Sequence, residues 1–208
     1  MKSFVVIADI IKSRQIENRK TFQGQLNKDL QKVNKKSGAL LSPYTITLGD
    51  EFQAVYSSAA GADLLKDMIY ILLSVYPLKI RFSVGFEQIA TDINRKQSIG
   101  MDGPAFYLAR EGLETLKELD ISIIQFFGSI KESNLLNSGL KLSMSVMKTW
   151  KKNTLFIFNE LLNKNTVKKI NSRLDISERG IYKIIDTNNL REFVDYFFEL
   201  EELIGKNR

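Results

Sequence analysis

The chain of 208 residues contains no cysteine and no histidine. These two absences together remove disulfides, zinc sites of the Cys/His kind, Ser-His-Asp triads and thiol nucleophiles. Any chemistry must therefore use carboxylates, Lys and Arg, hydroxyls and hard metal ions. There are only three prolines, Pro43, Pro77 and Pro104, so few points break the chain. No stretch reaches the roughly 18 uncharged apolar residues that a membrane-spanning helix needs. The apolar start, residues 4–8, is too short for a signal peptide and is stopped by Asp9. A cytoplasmic protein with no membrane partner is expected.

What is present suits a globular fold: 44% of residues are hydrophobic and 26% charged, enough apolar material for a core. The length fits one ordinary domain plus a small appendage. Thirty Lys+Arg against 24 Asp+Glu give a net charge of +6. That excess permits binding to phosphates or nucleic acid, and a Lys- and Asn-rich genome composition produces the same balance.

Residues 3–11 form a short apolar, β-branched run that predicts a buried strand. Phe22, Leu26, Leu30 and Val33 recur at helical spacing within 17–36. Ser42-Pro43 reads as a break, and strands over 44–49 and 52–56 flank a tight Gly49-Asp50 turn. Ser57-Ser58 is placed to cap a helix over 58–75 that Pro77 terminates. A half-buried strand over 79–87 and a polar loop over 91–103 follow, and Pro104 suits the first turn of the next helix. Residues 121–127 predict a last strand. The fold class is α+β: a ferredoxin-like, palm-type β-α-β-β-α-β order with a further helix and strand. Beyond about residue 130 only helices are expected. The chain is divided accordingly into a palm domain over 1–130, a connecting helical segment over 131–150 and a helical domain over 151–208.

Asp9 closes the first strand, and Asp50 sits in Leu48-Gly49-Asp50-Glu51-Phe52. A carboxylate in an apolar strand needs compensation for its desolvation. Two of them brought together by neighbouring strands repel, and a divalent cation is the usual remedy. The turn Ile10-Ile11-Lys12-Ser13-Arg14 offers backbone N–H groups and two cations to phosphates. Taken singly, Gly-Asp-Glu is also ordinary hairpin chemistry, and Asp9 is also a strand-end acid able to pair with Lys12 or Arg14. Arg95 and Lys96 read as a solvated pair.

Several motifs carry a family resemblance. Val5-Val6-Ile7-Ala8-Asp9-Ile10 resembles the first metal strand of class III nucleotidyl cyclases. The segment 48–52 is similar to the cyclase hairpin and to the GGDEF hairpin of diguanylate cyclases, and Phe82-Ser83-Val84-Gly85-Phe86 resembles the strand that follows. Gly103-Pro104-Ala105-Phe106-Tyr107-Leu108-Ala109-Arg110 is similar to the cyclase Gly-x-x-Val-Asn-x-Ala-x-Arg helix. With its tail, the chain most resembles the SatD family. The resemblance implies that Asp9 and Asp50 hold Mg²⁺ or Mn²⁺ with a bound nucleotide, that the Ile10 carbonyl and Glu51 are further ligands, and that Lys12, Ser13, Arg14 and Gly49 meet the nucleotide. It also implies a homodimer.

The departures are equally specific. Tyr107 and Glu111 stand where cyclases place an Asn and an Arg, and Arg110 comes one residue early, about 100° around the helix. Ile46 replaces the adenine-selecting Lys, and Leu48 replaces the first Gly of GGDEF. Losing a transition-state charge stabiliser costs orders of magnitude in rate. Binding is therefore favoured over turnover.

In the tail, Val167, Ile170 and Leu174 form one inward face, Ser177 caps the next helix, and Ile181, Ile184 and Ile185 face inward again. This is helix-turn-helix spacing. By that analogy Glu178, Arg179, Tyr182 and Lys183 face the DNA major groove, with Lys168 and Lys169 on the backbone. A protein-interaction or dimerisation module would read the same way; Gly180 weakens the reader helix, and the acids of 186–202 oppose DNA on their side. The expected function is a nucleotide- and Mg²⁺-binding regulatory protein with a DNA-binding tail, catalytically degenerate. The alternatives are an active, divergent cyclase or nucleotidyltransferase, and a palm retained only as a scaffold.

Overall fold

The structure, a computed structural model, describes residues 2–119 and 121–206; the last two positions of the expected helical domain lie outside these. The first strand, β1 (Lys2–Ile10), is apolar at successive positions, so both of its faces must be covered. It accordingly lies in the middle of a five-stranded sheet ordered β2-β3-β1-β4-β5, with β2 (Leu40–Leu48), β3 (Glu51–Ser57), β4 (Ile80–Gln88) and β5 (Ile123–Gly128). β1 runs antiparallel to both β3 and β4, as the split βαβ order requires. β5 adds a strand parallel to β4. A parallel neighbour needs a crossover, and the helix α3 (Pro104–Lys117) supplies it.

Side-chain alternation along β1 sorts the two faces. Phe4, Val6, Ala8 and Ile10 join a cluster with α1 (Arg19–Lys36) and α2 (Gly61–Ser74). Val5 and Ile7 pack with Val55 beneath Ala105, Ala109 and Leu113 of α3, with Ile89, Ile93 and Met101 of the 89–103 loop alongside. Asp9 falls on this second face. At Gly85 the backbone of α3 at Ala105 and Ala109 lies where a Cβ would project, so only glycine allows that helix to come this close to β4.

Two expectations are corrected. Pro43 does not end the chain's extended run: β2 continues through it, with register irregularities between Ser42 and Thr45. β2 is an edge strand, and edges with bulges tolerate a residue without an N–H. Ser57 and Ser58 do not cap α2; its N-cap is Ala60, which makes no side-chain hydrogen bond. Here tertiary packing decides the start: the position of a Cβ on Gly61 is taken by the backbone of Glu201 and Gly205.

Beyond β5 the described chain is helical: α4 (Ser133–Met147), α5 (Lys152–Leu162), α6 (Val167–Asn171), α7 (Glu178–Thr187) and α8 (Leu190–Gly205). α4 packs on β5, while α5 and α8 pack on α2. One apolar cluster runs without interruption from Phe4 through α2 to Phe158, Phe197 and Ile204. In α8, Phe197 is buried and edge-on to Phe158 at 5.2 Å, and Phe193 and Tyr196 are half-buried against the same cluster. Among the described residues, no helix is long and apolar enough to cross a membrane.

Candidate functional site at the end of the sheet

The register of the sheet brings the charged residues together. Across β1, Asp9 stands opposite Glu51 of β3 on one side and Arg81 of β4 on the other. By alternation all three share the α3 face. Arg81 is buried, and its Nη1 donates to Asp9 Oδ2 at 3.1 Å. Its Nη2 and Nε are held by the Leu119 carbonyl, at 2.6 Å from Nη2 and 3.0 Å from Nε, and its Nη2 also by the Lys117 carbonyl at 3.0 Å. This fork is therefore fixed in place. Asp9, expected to pair with Lys12 or Arg14 if it paired at all, is thus held by Arg81.

The second oxygen of Asp9, Oδ1, is buried and has no hydrogen-bond partner. Burial pushes the Asp9 carboxyl above its ordinary range; Arg81 and Lys117 pull it down, and the charge of Asp50 pushes it up again. An unpaired buried carboxylate oxygen is costly, and here a second acid adds to the cost.

Asp50 lies in the β2–β3 turn, where Gly49 adopts φ +65°, a conformation glycine takes without penalty. Its Oδ2 accepts the Ser13 hydroxyl at 2.5 Å. Ser13 is placed there by a sharp turn after β1: Lys12 is left-handed at φ 58°, and a single 3-10 turn, Ser13–Gln15, follows. A non-glycine residue in that region costs about 1 kcal/mol. α1 holds the hairpin from the other side, with Gln23 Nε2 donating to the Gly49 carbonyl at 2.8 Å. Arg19 comes as close: its Nη2 would lie 3.4 Å from a Cβ on Gly49.

Glu51 is buried and doubly engaged. Its Oε1 accepts from Thr47 Oγ1 at 3.0 Å and its Oε2 from Arg110 Nη1 at 2.6 Å. Arg110 of α3 thus reaches back to the sheet. Tyr107 is half-exposed, and its hydroxyl donates to Asp102. Ile10 ends β1 opposite Ile80, its side chain in the core. Among the described residues no three acids are grouped as a protein-only metal cage. A hard cation that keeps water and substrate oxygens needs only one or two carboxylates, and the free oxygen of Asp9 near Asp50 suits that donor set.

A model of the SatD family matches residues 3–193. The chain belongs to the SatD family. Solved structures similar to this SatD-family chain include two chains described as a bacterial light-regulated adenylyl cyclase, each at 14% identity and a TM-score of 0.45. One match covers 61% of this chain and 43% of the cyclase chain; the other covers 72% and 81%. The SatD-family chain thus spans less than half of the first cyclase chain. No curated protein matches it.

In the helical part of the SatD-family chain, Thr166 caps α6 through the Lys169 N–H, and Ser177 caps α7 through the Gly180 N–H. Ile170, Ile181 and Ile185 are buried, whereas Val167, Leu174 and Ile184 are half-buried. Lys168, Lys169, Glu178, Arg179, Tyr182 and Lys183 are all exposed. Arg173 is tied to Glu160 of α5 at 2.6 Å. The residues that sequence reasoning overlooked are Arg81, Arg19 and Gln23. For Arg81 the signal was present: alternation along 79–87 places it with Ser83 and Gly85 on one face.

Proposed function

We propose that the end of the sheet binds a nucleoside triphosphate together with one divalent cation, and that this occupancy regulates the protein without efficient turnover. The observation that carries the reading is the buried, unpartnered Oδ1 of Asp9 beside Asp50. Asp9 and Asp50 would hold the cation, which when bound neutralises phosphate charge. Lys12 and Arg14, on the turn after β1, and Arg19, beside Gly49, supply cations for the phosphate oxygens. Glu51 is occupied by Arg110 and Thr47 and so serves to place Arg110 rather than to ligate. Glu111 stands on α3 where cyclases carry the charge-stabilising Arg, and an acid there disfavours a transition state rich in negative charge.

The exposed face of α7, with Arg179, Tyr182 and Lys183, and the exposed Lys168 and Lys169 of α6 form the surface that this reading assigns to duplex DNA. Such binding would weaken steeply with salt.

Thermal stability against nucleoside triphosphates, each with and without Mg²⁺ or Mn²⁺, tests the site. A ligand at about 100 times its dissociation constant stabilises by about 2.7 kcal/mol, roughly 5–10 °C for a chain of this size. A metal-dependent shift with one nucleotide, lost in Asp9→Asn and Asp50→Asn and accompanied by no product over hours, is the expected result. No shift with any nucleotide overturns the reading. Metal-dependent product formation that Asp50→Asn abolishes would make the protein an enzyme instead.

A further inference from the structure

Two helices of the tail, α4 and α8, meet where Tyr196 of α8 lies against Gly139 of α4. The Tyr196 hydroxyl fills the space that a Cβ on Gly139 would need, so glycine is what lets the helices touch there. Just past the end of α4, Trp150 stands edge-on to Phe193, with ring centres 5.0 Å apart. Advancing along α4 from Gly139 to Trp150 therefore leads back along α8 from Tyr196 to Phe193, and the two helices run antiparallel. Each turns a buried side to the core, Leu136 and Leu140 on α4 and Phe197 and Leu200 on α8. Their outer sides face solvent together.

Helical spacing fixes what flanks the contact on that outer side. Leu135, Leu142 and Val146 come four residues before, three after and seven after Gly139, on one side of α4. All three are exposed, Leu135 to 61% and Leu142 to 68%. On α8, Glu192 and Glu199 come four residues before and three after Tyr196, with Asp195 beside them. These acids are exposed as well. Among the described residues, none of the three makes an ion pair or a side-chain hydrogen bond. Lys141 and Lys148 stand about half a turn from Gly139, on the far side of α4. The pair thus presents an apolar row next to an acidic row.

A single exposed leucine needs no explanation, whereas a row of apolar side chains at helical spacing marks an interaction surface. The acids beside it select the partner. They oppose an anionic membrane, and a second copy docking by the same face would bring its own acids towards them. An amphipathic helix with apolar residues at every third or fourth position and Lys or Arg along one flank matches both rows. From Leu135 to Val146 the apolar row is about 16 Å long, the length of three helical turns. We infer that the outer side of the α4–α8 pair is a docking surface for a basic amphipathic helix of a partner protein. The partner's apolar residues rest on Leu135, Leu142 and Val146, and its cations face Glu192, Asp195 and Glu199. The surface uses no residue assigned to the nucleotide and is independent of that reading.

The probe is a fluorescein-labelled synthetic peptide of about 18 residues, long enough to form a helix, with Leu on one face and Lys on the other. Two companions carry Glu in place of Lys and Ala in place of Leu. The full-length protein is titrated against each, and binding is read from fluorescence anisotropy. The expected result is saturable binding of the Leu/Lys peptide alone, weakening as salt is raised. Leu142→Ser, and the double variant Glu192→Gln with Glu199→Gln, should each weaken it about tenfold. All three positions are exposed, so the melting temperature without peptide should stay unchanged. Absence of saturable binding overturns the inference. Unchanged affinity in either variant also overturns it, because the peptide would then sit elsewhere. Equal binding of the Ala-substituted peptide removes the role of the apolar row and has the same force. A dimer in sedimentation that Leu142→Ser separates would make a second copy the occupant, and this too overturns the assignment.

Discussion

Asp9 at the end of the sheet and Glu201 in the seam between α2 and α8 are both acids with one oxygen on a base and the other buried without a partner. Their bases differ. Arg81 is a planar fork clamped by two backbone carbonyls, so it cannot leave Asp9 without abandoning its other bonds. Lys66 approaches Glu201 at 3.3 Å and also sits over the Phe198 ring, 5.5 Å from its centre. An ammonium on a flexible stem gives weaker, less directed compensation. Burial pushes Glu201 up to about 7 despite Lys66. Nearby, burial also pushes Asp67 to about 6, although Tyr56 donates to it at 2.8 Å. The sheet end is thus built around a fixed ion pair, while the helical seam holds an acid, Glu201, that takes up a proton near neutrality.

Breaking the rigid pair should have the largest effect. Arg81→Leu leaves Asp9 as an uncompensated buried charge and should cost about 3 kcal/mol at pH 7, measured by urea unfolding. Without Arg81 the folded-state pKa of Asp9 moves further above its unfolded value. The penalty is then complete above the folded pKa and disappears below the unfolded one. The deficit should therefore shrink as pH falls, leaving the part due to the freed carbonyls. An equal deficit at pH 7 and pH 4.5 would mean that Asp9 is not the charge Arg81 serves.

The seam should respond less, and in the opposite sense. Between the ordinary 4.5 of Glu201 and its folded value of about 7, the folded state holds a proton that the unfolded state has released. Stability from this group is complete below the lower value and lost as pH rises to the upper. Glu201→Gln should flatten that slope and gain about 1 kcal/mol at pH 8, read from melting temperatures at pH 5 and pH 8. Asp67 should keep a residual slope of the same sign up to about 6.

The smallest effect is expected at the sheet end's other arginine. Arg110 is partly exposed, its side chain 42% accessible, and such pairs are worth about 1 kcal/mol or less. Arg110→Ala should change stability by no more than that, with the difference fading in high salt. A loss as large as that of Arg81→Leu would show that the two pairs form one network.

These contrasts also mark how far the sequence could be read. The strands were legible because β1, β3 and β4 carry local patterns, and the Gly49-Asp50 turn because only certain residues suit it. Pro104 opens α3 and Ser177 caps α7 where local chemistry places them. The errors came from relations that no local pattern carries. Pro43 stays in β2 because of that strand's place at the sheet edge, and α2 starts where α8 lies against Gly61. The pairing of Asp9 with Arg81 depends on cross-strand register over 72 positions. The acids of the sheet end were therefore readable as a group, and alternation gave the face of Arg81, but not its place opposite Asp9.

α2 has almost no solvent side. Leu64, Leu65, Met68, Ile69, Ile71 and Leu72 are buried around its circumference, because the sheet claims one side and α5 with α8 the other. A helix shared in this way acts as a common wall, and neither neighbour can swing away without exposing it. Movement of the exposed face of α7 relative to the sheet must then travel through solid packing, as in a lever and not a hinge. Heat and denaturant should melt strands and tail in one step.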